Sequence, residues 1–241
     1  MQLAVVHDES SAPLSPGEVH FLWWFIQGSI MEPETRWQLR LAWGMCQRHI
    51  LGALAAEAAF RHGYLHGPAI LYADLMERAV RAFKVAGPLA GARLARRLRA
   101  RARCQMCELG YGPSSRGFIS AQRVQEGRDL SHLMSFLSEC RSFWRESVCG
   151  RCAGNGARPR CRVHLLEELR SDPSLDLEPH RALIERISRH MERYSASFRW
   201  ELCGTDTAED RAALVSAAGW CGGWQGLLGC IDAGTRASTN A

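Results

Sequence analysis

Apolar residues recur at helical spacing along most of the chain. Phe21, Trp24 and Phe25 share one face of the first such segment, because residues three and four apart in an α-helix lie on the same side. Pro33 is placed to open a second helix, since proline fits the first turn of a helix. No segment shows a convincing strand pattern, so the sequence predicts an all-α fold. The predicted helices cover residues 18–45, 49–61, 70–83, 120–145, 164–169, 180–200 and 207–218.

Glycine, proline and serine divide these helices and mark the ends of the chain. Residues 1–17 are rich in Ser and Pro and predict a flexible N-terminal arm. Residues 232–241 are polar and predict a disordered tail. Between them we predict two imperfect helical repeats, over 18–103 and 104–231, with zinc-knuckle loops. In each repeat a Cys-x2-His pair precedes an apolar helix, a break and a second helix that opens near a proline.

Length and composition set broad limits on the class of protein. The chain has 241 residues, of which 46% are apolar and 23% charged, as is typical of soluble globular proteins. The richest apolar run, 21–26, is far shorter than the roughly 20 residues that a membrane span needs. The N-terminus lacks the basic region and the long apolar core of a secretory signal. We therefore expect a cytoplasmic protein with no membrane association.

Cysteine changes this picture most. The chain contains ten cysteines, and six of them lie in Cys-x2-Cys or Cys-x2-His pairs. Because no export signal is predicted, the thiols should stay reduced, and such pairs then favour metal binding over disulfides. In chain order, the first pair is Cys46/His49, the second Cys104/Cys107, the third Cys149/Cys152 and the fourth Cys161/His164.

Thiolate and imidazole ligands in sets of four suit Zn²⁺, which binds them in a tetrahedron. Two ways of combining the pairs are open. In the local pairing the third and fourth pairs hold one ion, and the first and second pairs hold another. In the repeat pairing the second and fourth pairs combine, which leaves the other two unused. We favour the local pairing for that reason, and we expect one or two zinc ions per chain in closed structural sites.

The cysteines also admit three interpretations that the sequence favours less. An iron–sulfur cluster is an alternative, but His is a rarer ligand there. A single Cys-x2-His pair is often no more than a buried cysteine and a buried histidine, although four pairs in one chain make that interpretation less favoured. Residues 149–156 spell C-x2-C-x-G-x-G, similar to the zinc domain of J-domain chaperones, but that domain uses four copies and this chain has one. The glycines are better explained by a loop that folds back around an ion.

The segment WGMCQRH, followed by an Ala-rich helix and AILYADLMERAV, resembles an uncharacterised bacterial family of duplicated helical proteins. In that family a C-x2-C near the start of each half is followed by a G-x-C-x2-H-like element and a paired helix. The resemblance covers most of residues 19–200 and implies a duplicated helical fold with metal half-sites, but no activity. This chain departs from the family because the N-terminal C-x2-C is absent and the third pair is inserted before the fourth.

Arginine supplies nearly all of the positive charge. The formal net charge is +5, and Lys84 is the only lysine, which is typical of a GC-rich bacterial genome. One arginine-rich segment, with Leu94 and Leu98 interleaved, could follow a nucleic-acid backbone. We prefer its interpretation as a solvated helix face. Its arginines are Arg93, Arg96, Arg97, Arg99, Arg101 and Arg103.

No catalytic motif is present: the sequence has no HExxH, GxSxG or phosphate-binding glycine loop. Core packing explains most of the eight tryptophans, but Trp220 and Trp224, among glycines, are candidates for an exposed partner surface. We therefore expect a non-enzymatic interaction or regulatory module with an unidentified protein partner. The alternatives are a nucleic-acid-binding protein that uses the arginine-rich segment, and a metal-dependent or thiol-redox enzyme in which the first pair holds an incompletely ligated metal.

Overall fold

Helices account for the regular structure of this protein. The computed structural model describes residues 13–154, 156 and 158–231, and these residues form α-helices and short 3-10 helices but no strand. The prediction of an all-α fold is therefore confirmed. None of the described helices combines the length and the apolar character that a membrane span needs.

The helices follow one another with short connections. In chain order they are α1 Pro16–Ile26, α2 Pro33–Ala42, α3 Gln47–Phe60, α4 His66–Phe83, α5 Ala90–Leu98, α6 Gln105–Glu108, α7 Ala121–Glu126, α8 Ser131–Glu139, α9 Arg141–Trp144, α10 Arg162–Ser171, α11 Glu178–Ala196 and α12 Ala208–Gly222. Residues 225–231 are helical again. The 3-10 helices are Ser29–Met31, Arg145–Ser147 and Trp200–Leu202.

A capping box fixes where α1 begins. The Ser15 hydroxyl accepts a hydrogen bond from the Glu18 backbone N–H, and the Glu18 carboxylate accepts one from the Ser15 N–H at 2.7 Å. Ser15 is buried, so residues 13–17 belong to the folded part of the chain. The flexible arm predicted over 1–17 therefore needs correction for residues 13–17. Residues 1–12, like the tail predicted over 232–241, lie outside the described residues.

The helical segment predicted over 120–145 is divided into three helices in the structure. α7 ends before Gly127, which packs so tightly that a Cβ would lie 2.6 Å from Val19. Asp129 then accepts hydrogen bonds from the Ser131 N–H at 2.8 Å and from its hydroxyl at 3.0 Å, which favours a new helix start at Ser131. Apolar spacing alone did not indicate this interruption.

Tryptophan lies at the centre of the core. Trp43, Trp144, Trp220 and Trp224 are among the largest fully buried side chains, so the exposed surface suggested for Trp220 and Trp224 is wrong. The rings of Trp144 and Trp224 stack at 6.1 Å, and those of Trp43 and Trp220 meet edge to face at 5.9 Å. Gly219 makes room for this packing, since a Cβ there would lie 2.4 Å from the Trp224 ring. The glycine at position 219 therefore allows the Trp224 ring to be buried and does not indicate an exposed surface.

A buried carboxyl joins α3 to α4. Glu57 is 3% exposed, and its Oε1 accepts a hydrogen bond of 2.8 Å from the Gly67 N–H in the first turn of α4. That end of α4 has no side-chain cap of its own, so Glu57 satisfies one of its free backbone donors. Burial raises the pKa of Glu57 from 4.5 to about 7, although the Gly67 hydrogen bond acts in the opposite direction.

Glu57 should make stability depend on pH. Between the two pKa values the folded state binds more protons at Glu57 than the unfolded state, so this contribution to stability is lost as pH rises. From about pH 5.5 to about pH 8 the free energy of unfolding should fall by about 2 kcal/mol relative to Glu57→Gln. Chemical denaturation of both proteins at the two pH values measures the difference. Parallel pH profiles for the two proteins would contradict this account of Glu57.

Candidate metal centres

The first and second pairs lie together in the folded chain. All of their ligand atoms lie within 4.8 Å of one another. His49 Nδ1 is 3.2 Å from the Cys46 sulfur and 3.4 Å from the sulfurs of Cys104 and Cys107. We call this group the first centre; its members are Cys46, His49, Cys104 and Cys107.

The third and fourth pairs form a matching group. Their ligand atoms also lie within 4.8 Å of one another. His164 Nδ1 is 3.3 Å from the Cys149 sulfur and 3.4 Å from the sulfurs of Cys152 and Cys161. We call this group the second centre; its members are Cys149, Cys152, Cys161 and His164.

The eight candidate residues are thus grouped as in the local pairing. The structure does not bring the second and fourth pairs together, which the repeat pairing requires. Among the described residues, these two groups are the ones that combine three or more potential metal ligands. The other four cysteines, Cys140, Cys203, Cys221 and Cys230, belong to neither group.

The two Cys-x2-His pairs have the same local conformation. Cys46 and Cys161 are N-caps of α3 and α10, with φ and ψ of −68° and 169° in one and −67° and 165° in the other. Each histidine is the third residue of its helix, which places its side chain beside that of the N-cap. Local sequence therefore orients both ligands of a pair toward one point. The duplication predicted from this likeness remains a prediction.

The thiols in each centre lie so close together that ionisation of one opposes ionisation of the others. The hydrogen bond from the Cys46 thiol, helped by His49, lowers the pKa of Cys104 to about 3. In the second centre, hydrogen bonds with Cys152 and Cys161 hold the pKa of Cys149 well below its usual value. Once one thiolate forms, its neighbours resist ionisation, and the pKa values of Cys46 and Cys161 are raised. A cation among the sulfurs would relieve this repulsion and allow every thiol to ionise.

The buried carboxylate of Glu18 contacts the ring nitrogen of His49 that does not face the sulfurs. The Nε2 atom of His49 lies 3.2 Å from Glu18 Oε1, and Glu18 is 0% exposed. Arg48 donates to both carboxylate oxygens, from Nε at 2.7 Å and from an Nη atom at 2.8 Å. A carboxylate that accepts the Nε2–H of a histidine leaves the Nδ1 lone pair for a ligand on the other side. Here that other side is the cluster of sulfurs.

The electrostatics of this triad agree with its geometry. Burial would raise the pKa of Glu18, but hydrogen bonds with His49 and Arg48 hold it well below its usual value. Burial would lower the pKa of His49, but hydrogen bonds with Cys104 and Glu18 raise it to about 9. Positive charge is therefore favoured at the Nδ1 atom of His49, whether a proton or a metal ion supplies it.

Glu18 was missed from the sequence. The Ser15-x2-Glu18 spacing signals a capping box, but the contact of Glu18 with a histidine 31 positions later depends on how α1 packs against α3. The two centres also differ in this respect. Among the described residues, no carboxylate lies within ion-pair distance of His164.

The end of α12 and the residues after it lie beside both centres. We call residues 222–231, four of which are glycines, the glycine-rich segment. A Cβ at Gly222 would lie 3.0 Å from the Met45 carbonyl oxygen, and one at Gly223 would lie 2.6 Å from the Gln47 side chain. The segment therefore lies directly on the start of α3, beside the first centre. On its other side, the Trp224 backbone N–H lies near the Cys152 sulfur of the second centre, where it acts against the rise in the pKa of Cys152.

Arg162 ties the second centre to two further elements. It follows Cys161 directly and is only 8% exposed. Its Nε donates to the Cys221 carbonyl at 3.0 Å in α12, and an Nη atom donates to the Leu98 carbonyl at 3.1 Å at the end of α5. The position of α10 is thereby linked to both helices.

A cavity of about 1650 Å³ opens beside the first centre. Most of its wall is aliphatic or glycine, and its described lining contains no carboxylate. The described lining residues that carry a thiol or an imidazole are the four members of the first centre and Cys230, and burial raises the pKa of Cys230. This set offers no general acid or base apart from the ligands and one thiol.

Comparison of the chain with known protein families, with curated proteins and with solved structures finds no match. The resemblance to a family of duplicated helical proteins therefore remains a prediction.

Two glycine substitutions test how the glycine-rich segment packs. Gly223 has φ of +104° and lies against Gln47, so Gly223→Ala should lower the free energy of unfolding by about 1–3 kcal/mol. Gly229 is exposed in the helical residues 225–231 and has no neighbour within 4 Å, so Gly229→Ala should raise it by about 0.5–1 kcal/mol. Denaturant titration measures both values. If Gly223→Ala left stability unchanged or raised it, the packing described for Gly223 would be incorrect.

Proposed function

We propose that the chain binds two zinc ions, one in each centre, and acts as a non-enzymatic interaction module whose helical surface the ions hold in place. The spacing of the sulfurs carries this proposal. A tetrahedral ion with Zn–S bonds of about 2.3 Å separates its sulfur ligands by about 3.8 Å. The sulfurs of Cys46 and Cys107 are 3.8 Å apart, and those of Cys152 and Cys161 are 4.0 Å apart.

The donor set favours zinc over an iron–sulfur cluster. Three thiolates and one imidazole are ligands of structural zinc sites. A cluster of several iron and sulfide ions would hold its cysteine sulfurs farther apart than a single ion does. The observed sulfur separations therefore support one ion in each centre.

The closed ligand sets support a structural role. Four protein ligands complete the tetrahedron and leave no position for a reacting water. The binding free energy of such an ion then contributes to folding. The ions would fix α3 against α6 at the first centre and the 149–152 turn against α10 at the second. The surface built on these elements, rather than the ions themselves, would meet a partner.

Zinc content tests the two-ion proposal. Elemental analysis of the protein purified without chelator should give two zinc ions per chain. The variants Cys46→Ser/His49→Ala and Cys161→Ser/His164→Ala should each lose one ion, because each removes half of a ligand set. Cys203→Ser changes an exposed cysteine outside both centres and should keep both ions.

Fewer than two zinc ions per chain would contradict the two-ion proposal. A single ion that is lost only in the Cys161→Ser/His164→Ala variant would leave the first pair without a metal. That result would favour the metal-dependent or thiol-redox alternative. A protein with no bound metal would overturn the proposal.

Glu18 should raise the zinc affinity of the first centre alone. Glu18→Gln keeps the shape of the side chain but removes the charge that holds His49 in its ligating form. We expect zinc affinity at the first centre to fall by about 10–100-fold, with the second centre unchanged. Competition with a chromogenic chelator resolves two sites of different affinity. Glu167→Gln, which removes an exposed partner of Arg151 near the second centre, is the matched control and should alter neither site.

A further inference from the structure

One long part of the chain carries only positive charge. Residues 78–107 contain no Asp or Glu in 30 positions, although the chain has 25 acidic residues. The nine basic residues give this part a charge of +9. Because the whole chain has a net charge of +5, the remainder of the chain is net negative. They are Arg78, Arg81, Lys84, Arg93, Arg96, Arg97, Arg99, Arg101 and Arg103. Charge is therefore distributed unevenly along the chain.

The fold presents the last six of these arginines at the surface. We call residues 93–103 the basic segment. α5 buries Gly91, Leu94 and Leu98, and a Cβ at Gly91 would lie 2.1 Å from the Pro173 carbonyl oxygen. This close approach turns the apolar face of α5 inward. All six arginines of the basic segment are exposed.

The charge of the basic segment is not neutralised within the part of the chain that the structure describes. Eight arginines outside it form ion pairs with carboxylates, but none of its own six does. Only Arg97 uses its guanidinium in a described hydrogen bond, to carbonyls at the end of α4. Other exposed arginines, such as Arg189 and Arg193, also lack a described carboxylate partner, but no other stretch of eleven residues in the sequence contains six arginines.

One further arginine, Arg78, extends the positive surface, whereas Arg40 beside it forms an ion pair with Asp74 at 3.3 Å. The Arg101 N–H donates to the Leu41 carbonyl at 2.9 Å, which places the basic segment against the end of α2. The Arg78 guanidinium lies there too, 3.9 Å from the centre of the Trp43 ring, and donates to the Arg40 carbonyl. Burial lowers the pKa of Arg78 to about 10, and the charges of Arg40 and Arg101 add to the effect. Positive charge is therefore concentrated at this point of the surface.

Both centres hold the basic segment in place. The Leu98 carbonyl accepts a hydrogen bond from Arg162, which follows a ligand of the second centre. Arg103 directly precedes Cys104, a ligand of the first centre. The segment is thus fixed near its middle and at its end by the elements that the proposed zinc ions would stabilise.

We propose that the basic segment, together with Arg78, is a docking surface for the phosphate backbone of a nucleic-acid duplex. This inference rests on the proposed interaction module and names its partner. Guanidinium groups bind phosphate oxygens in a bidentate manner, and a row of unpaired arginines releases condensed counterions when it meets a duplex. Residues 93–103 contain no aromatic side chain on which unpaired bases could stack, so a duplex is favoured over a single strand.

Salt-dependent binding of a labelled, mixed-sequence DNA duplex to the full-length, zinc-loaded protein tests the proposal. The test variant is Arg96→Gln/Arg99→Gln/Arg101→Gln. The matched control, Arg189→Gln/Arg193→Gln/Arg199→Gln, removes the same charge from exposed positions in and just after α11. Fluorescence anisotropy should show the slope of log affinity against log salt shrinking by about 1 for each phosphate that the test variant no longer binds. The control should keep the slope and affinity of the unmodified protein.

Several results would overturn the docking surface. They are equal loss of affinity in both variants, tighter binding of the single strand of the same sequence, and competition by polyglutamate as effective as that by unlabelled duplex. The last result would indicate an acidic protein as partner. Zinc analysis of the same samples separates the two proposals. Two ions per chain without duplex binding would refute the docking surface alone, whereas duplex binding without zinc would refute only the metal sites.

Discussion

Three thiols and an imidazole lie close together in each of the two centres, and a cation among them would relieve the repulsion between ionised thiols. Sulfur atoms 3.8–4.0 Å apart cannot all ionise without a cation, because like charges at this distance oppose each other strongly. The pKa values of Cys104 and Cys46, one lowered and one raised, express the same conflict. An ion with four ligands would remove it and would close the chain at two points. Residues from Cys46 to Cys107 and from Cys149 to His164 would thereby become two loops of fixed geometry.

The two centres are parts of one core. The segment after α12 lies between them, with Gly223 against Gln47 on one side and the Trp224 N–H at the Cys152 sulfur on the other. Trp224 in turn stacks on Trp144 in α9. Arg162 adds a second connection, from α10 to α12 and α5. Loss of either proposed ion would therefore disturb packing well beyond its own ligands, since close-packed interiors transmit local strain.

The two centres offer no reactive position, whereas the surface of the basic segment offers groups that can bind a partner. Closed ligand sets have no reactive position, and the described lining of the cavity beside the first centre adds one thiol to the ligands. The basic segment, in contrast, carries six exposed arginines without described acidic partners and ends directly before Cys104, a candidate metal ligand. The centres and the segment together give a coherent arrangement, in which buried ions would hold an exposed row of guanidinium groups rigid. Rigidity matters here because an ordered row loses less side-chain entropy when it binds.

The sequence by itself determined the helices and the ligand pairs, because both depend on neighbours a few residues apart. Helical periodicity and the turn geometry of Cys-x2-His are local properties, and the eight candidate ligands follow from them. Tertiary structure alone decided which pairs share a centre, since both pairings satisfied the same spacing. It also placed Glu18 behind His49, buried Trp220 and Trp224 where glycines suggested exposure, and separated three helices within 120–145. Each of these outcomes depends on which helices come into contact, and residues 31 or more positions apart meet only when the core forms.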